Sequence, residues 1–138
     1  MYKLVLILCF SSLFSSAQSL NQAIKLNQVG FYPQAPKLAV VTGSTPESAF
    51  FITTTNLRDT VFRGSLGALR KSNNSSTETR TADFSSLTKP GTYVVLVPRL
   101  GHSYVFVIGD QVNEAVGIAS LKAYYYQRAS MPLEAWKS

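Results

Sequence analysis

An all-β sandwich followed by a single C-terminal α-helix is the fold this sequence predicts, and three observations carry it. Short runs rich in β-branched and aromatic residues recur at roughly ten-residue spacing, bounded by Gly, Pro, Asn and Asp. No helical period interrupts them between Ile24 and Ile108. From Asp110 onward the apolar period changes from that of a strand to that of a helix.

The first strand is Ile24 to Gln28, running into a turn at Val29-Gly30. Phe31 to Pro36 cannot continue it, because Pro33 and Pro36 have no amide to give a ladder. Lys37 to Thr42 is a second strand, Ala49 to Thr55 a third and Thr60 to Gly64 a short fourth, with turns at 43–46 and 56–59. Residues 65–77 are polar and rich in Gly, Ser and Asn, and read as a surface loop with its tip at 72–77. Glu78 to Asp83 follows as an exposed strand. Tyr93 to Val97 and Ser103 to Ile108 are apolar on both faces and read as buried strands, linked through Pro98 to His102. Before Tyr93, Pro90 and Gly91 suit the two central positions of a type II turn. Tyr93 is then either the tyrosine of a tyrosine corner, bonding back to upstream backbone, or an ordinary buried strand residue.

The terminal helix is expected over 112–127, with Asp110 as its N-cap. Val112, Ala115, Val116, Ala119, Ala123 and Tyr126 form one apolar face, while Ile118, Leu121 and Tyr125 fall on a second. A helix apolar over so much of its surface expects cover on more than one side, and a sandwich supplies one. Pro132 turns Met131 away from helix.

The chain has 138 residues, one domain's worth, and carries a net charge of +6. Residues 1–17 read as a signal peptide: Lys3, an apolar core from Leu4 to Phe14, then Ser15-Ser16-Ala17 for cleavage after Ala17. The apolar run is too short for a stable membrane span, so the expected location is secreted or periplasmic. Cleavage would remove Cys9, the one cysteine, leaving no disulfide and no thiolate metal ligand. The basic residues are scattered, Arg70-Lys71 being the one adjacent pair, so no nucleic-acid partner is expected.

The chemistry-bearing residues form no constellation. Asp59 and Asp110 sit where turns and caps want short acids; Glu47, Glu78 and Glu134 lie in polar stretches. His102 stands alone in a turn, expected at the surface, and no serine has a Gly-x-Ser-x-Gly context. The expectation is therefore no catalytic residue, no cofactor site and no metal site. Phe50, Phe51, Phe62, Tyr93, Tyr104 and Phe106 fall in strands, where core is the expected role and a sugar-stacking platform the alternative; Trp136 lies in the tail.

Three segments then carry a resemblance. Ile24 to Val41 (IKLNQVGFYPQAPKLAVV) resembles the opening of the N-terminal immunoglobulin-like domain of glycoside hydrolase family 9, the cellulase family, with its Asn-Gln-Val-Gly-aromatic-x-Pro run and a lysine before the second strand. Ala82 to Val97 and Ser103 to Gly109 resemble that domain's closing strands, and Leu121 to Glu134 (LKAYYYQRASMPLE) the first helix of the family's (α/α)6 catalytic barrel. The resemblance implies an immunoglobulin-like domain over 22–110 and, over 111–138, the first helix of a truncated catalytic domain. It implies a parent enzyme that cleaves β-1,4-glucans by inversion, using aspartates of an Asp-Ala-Gly-Asp motif and a later glutamate. No Asp-x-x-Asp occurs here, so none of the family's catalytic residues maps onto this chain, which is expected to be inactive alone. The implied role is an accessory domain that stabilises the catalytic barrel, with that barrel and the parent's polysaccharide as partners. Two alternatives are a non-catalytic carbohydrate-binding module and a free-standing adhesive or periplasmic sandwich.

Overall fold

The computed structural model describes residues 19–71 and 73–127. The signal-peptide segment with Lys3 and Cys9, and the tail with Arg128, Pro132, Glu134 and Trp136, lie outside the described residues. In chain order the strands are β1 (Ile24–Leu26), β2 (Leu38–Thr42), β3 (Ala49–Thr54), β4 (Thr60–Ser65), β5 (Arg70–Lys71), β6 (Glu78–Asp83), β7 (Gly91–Val97), β8 (Gly101–His102) and β9 (Phe106–Ile108); α1 (Glu114–Tyr126) follows.

These make two antiparallel sheets. One has the order β1-β2-β6-β5; the other runs β4-β3-β7-β8, with β9 also on β7. Alternation decides which side chains meet between them. Ile24, Ala39, Val41 and Ala82 come from the first sheet; Phe50, Ile52, Tyr93, Val95, Val97, Phe106 and Ile108 come from the second, and all are buried in one cluster. The sandwich and its terminal helix are as expected from the sequence.

Three local readings differ. The predicted strand 103–108 is shortened to Phe106–Ile108, and at its expected start the Ser103 hydroxyl stands in for a ladder carbonyl. It accepts the Val95 amide at 2.9 Å and donates to the Tyr104 carbonyl at 2.7 Å. The chain is thrown outward there, and Tyr104, expected in the core, is 43% exposed. The polar stretch 65–77 is not all loop, since Arg70 and Lys71 pair with Thr79 and Glu78. Gly91 is not the third residue of a type II turn. Its φ of +158° is far from the +80° that turn needs, and it opens β7 opposite Ile108. The tight turn lies earlier, closed by the Leu87 amide on the Phe84 carbonyl at 2.9 Å. Glycine is required at 91 for another reason: a Cβ would lie 2.6 Å from the Tyr93 hydroxyl. That hydroxyl reaches back to the carbonyls of Lys89 and Pro90, each at 3.3 Å, so Tyr93 takes the corner role.

One crossing ties the sheets together. After β1 the chain passes to the second sheet, where the Phe31 amide donates to the Val107 carbonyl (2.9 Å) and the Gly109 amide to the Phe31 carbonyl (3.0 Å). The Phe31 ring meets Phe84 and Phe106 edge-on at 5.5 and 5.7 Å. The chain returns over Tyr32–Pro36 to Lys37, which is fully buried. Its Nζ donates to the carbonyls of Pro33 and Ala35 at 2.7 Å each and of Tyr32 at 3.4 Å. Burial pulls the Lys37 pKa below its ordinary value, and the charge of Asp83 opposes that shift.

Lys37→Met keeps the aliphatic stem and removes the donors. Relief of the buried charge favours the variant, but the Pro33 and Ala35 carbonyls lose their partner, at about 1–3 kcal/mol for each acceptor left unpaired. The expected net result is a loss of at least about 2 kcal/mol in urea unfolding; an unchanged midpoint would show that the loop closes without the ammonium.

Candidate docking surface

Helix α1 begins later than the sequence suggests. Asp110 is not its N-cap: 110–113 form a turn, and Asn113 occupies the cap position with no side-chain bond to the first turn. Val112, expected in the helix, instead packs beside Gly30, where a Cβ would meet its Cγ1 at 2.9 Å. Gly30 also has a φ of +121°, so both space and backbone demand glycine. Val112 is thus the last anchor before the helix.

Beyond it nothing in α1 is buried. Leu121 and Tyr124 are 73% and 76% exposed; Val116, Ile118, Tyr125 and Tyr126 are also open to solvent. Each large apolar side chain is worth roughly 1.5–3 kcal/mol when fully covered, so this surface represents a large unrealised stabilisation. Contiguous apolar exposure of this kind marks an interface. The sandwich offers exposed apolar residues beside the exit as well. Val29 and Tyr32 stand on the crossing loop and Val107 on β9, next to a shallow depression lined by Val107, Gly109, Asp110, Gln111 and Val112.

The polar candidates do not converge. His102 lies in β8, half-buried, with Nδ1 2.9 Å from the Ser103 carbonyl. Glu47 is paired with Arg99 at 3.1 Å. Asp83 Oδ1 accepts the Ser85 hydroxyl at 2.7 Å and its amide at 2.9 Å, and these bonds hold its carboxyl below the usual range. Asp59, Asp110 and Glu114 are exposed. Among the described residues, no three His, Cys, Asp or Glu side chains gather as a metal site would need, and no helix is long and apolar enough to cross a membrane.

Two antiparallel sheets followed by one exposed helix define the class of fold, and the comparisons with known proteins give it a family. Residues 20–102 match the cellulase N-terminal ig-like domain, and the chain belongs to that family. The xyloglucan-specific endo-beta-1,4-glucanase of Bacteroides ovatus is 41% identical over 114 residues, which is 83% of this chain and 19% of that protein. A solved structure described as Bacteroides ovatus GH9 is similar with a TM-score of 0.70 at 39% identity, covering 81% of this chain and 20% of that one. The GH family 9 endoglucanase J30 gives 0.69 at 35% identity, over 75% and 19%. The chain therefore spans about a fifth of the length of these relatives.

If α1 contributes nothing to the sandwich, a chain ending at Asn113, which keeps Val112 on Gly30, will have the same denaturant midpoint as the longer one. It will also lose any concentration-dependent self-association seen by sedimentation. A clearly lower midpoint for the shorter chain would place the helix within the sandwich's cooperative unit.

Proposed function

We propose that this chain is the accessory N-terminal part of a secreted family 9 glycoside hydrolase acting on β-1,4-glucans. The sandwich, residues 22–110, stabilises an α-helical catalytic domain of which 111–138 is the first helix. Residues 1–17 direct export and are removed after Ala17, placing the protein outside the cell or in the periplasm. The observation that carries the reading is α1: a helix with six exposed large apolar residues and no buried one. Support comes also from the relatives, which are endoglucanases about five times as long as the matched part. In this reading the rigid crossing loop, with Val29 and Tyr32 at its surface, and Val107 on β9 form the sandwich's share of the interface. The helix forms the other share.

Two arms test it. Purified chain alone releases no reducing sugar from carboxymethylcellulose or xyloglucan. Grafted in place of the matching fifth of the Bacteroides ovatus enzyme, it restores the thermal midpoint and activity that deletion of that fifth removes. Sugar release by the chain alone, or a graft no better than the deletion, would overturn the accessory role.

A further inference from the structure

A second feature of the sandwich lies away from α1. The outward excursion at 103–105 opens a groove of about 570 Å³ along β1, lined by Gln22, Ile24, Lys25, Leu26, Gln28 and Tyr104. β1 is the end strand of its sheet, so among the described residues the groove runs along an edge with no further strand beside it. The Gln22 amide approaches the Tyr104 hydroxyl at 3.5 Å, and Gln28 lies beyond the other end of β1.

The lining narrows the chemistry of an occupant. Lys25 is its single charged residue and there is no acid, which disfavours metal ions, and one exposed lysine is too little charge to select a polyanion. The two glutamines bring amides that both donate and accept, as sugar hydroxyls do. Leu26 and the tyrosine ring offer apolar surface to the C–H faces of a pyranose. An open groove along a sheet edge suits a polymer better than an enclosed small molecule. We infer that the β1–Tyr104 groove binds a β-1,4-glucan chain and so holds the polysaccharide near the catalytic domain. The choice of this polysaccharide rests on the function proposed above; the choice of a neutral glycan rests on the lining.

The test is affinity electrophoresis of the full chain through gels containing xyloglucan or hydroxyethylcellulose, with dextran as the control. The expected result is retardation by the two β-1,4-glucans and not by dextran, weakened at least tenfold by Tyr104→Ala and measurably by Gln28→Ala. Both side chains are exposed, so both variants should keep the parent's unfolding midpoint; Gln28→Ala carries the test should Tyr104→Ala misfold. Tyr124→Ala, on α1, should leave retardation unchanged. Absence of retardation, retardation of both groove variants equal to the parent's, or loss in Tyr124→Ala would each overturn the groove as the binding site. A chain that fails here but succeeds in the graft leaves the accessory role standing; a failed graft with retention in the gel removes that role and leaves the groove.

Discussion

Three backbone carbonyls converge on the ammonium of Lys37, and the course of the chain between the two sheets depends on them. The segment they close contains Pro33 and Pro36, neither of which has an amide to satisfy a neighbour. Within it, the Ala35 amide on the Tyr32 carbonyl at 3.1 Å is a local turn bond. A lysine is suited to the remaining need because three donors leave one point, so a single side chain can gather carbonyls that no regular ladder would reach. The cost is the burial of a charge, visible as a lowered pKa, and Asp83 offsets part of it from the end of β6. The backbone of Lys37 is fixed too: its amide donates to the Ser85 hydroxyl at 2.9 Å, and its carbonyl accepts the Phe84 amide at 3.0 Å.

With the loop fixed, Phe31 is delivered to the second sheet, and the aromatic end of the core assembles around it. Phe84 and Phe106 lie 5.4 Å apart and Tyr93 6.1 Å from Phe106, so rings from the second sheet, the crossing loop and the segment after β6 share one cluster. The same loop sets the path out of the sandwich, since Gly109 is held by Phe31 and Val112 by the space at Gly30. Order ends there. A helix of 13 residues without a side-chain cap is marginal by itself. None of its residues is buried or belongs to the core cluster, so α1 stands outside the packing of the sandwich.

Much of this was legible in the sequence, and the parts that were not share a cause. The strand runs, the crossing loop, the upstream bond of Tyr93 and the excess apolar surface of α1 follow from periodicity, proline chemistry and side-chain type. What failed depended on contacts distant in sequence. Nothing local says that Ser103 will take a carbonyl's place opposite Val95 and push Tyr104 into solvent. The Pro90-Gly91 pair carries a turn signal, yet the glycine is there to clear the Tyr93 ring. Lys37 reads as a strand-edge lysine, and only the folded loop reveals it as an internal donor. The candidate surfaces divide the same way. The helix was visible from its composition, whereas the groove beside β1 exists because of the Ser103 excursion.

Native-state amide exchange tests the central claim, that the Lys37-closed loop is a structural weld and the helix lies beyond it. The amides of Phe31 and Gly109 bridge the loop and β9, and they should exchange only through the global opening that exposes Val95 in β7. The amides of Gly117 and Gln127 in and after α1 should exchange through local fraying, orders of magnitude sooner. Fast exchange at Phe31 and Gly109 while Val95 stays protected would show that the loop opens independently of the sheets. Protection of Gly117 equal to that of Val95 in a monomer would show that α1 belongs to the sandwich, and either result contradicts this account.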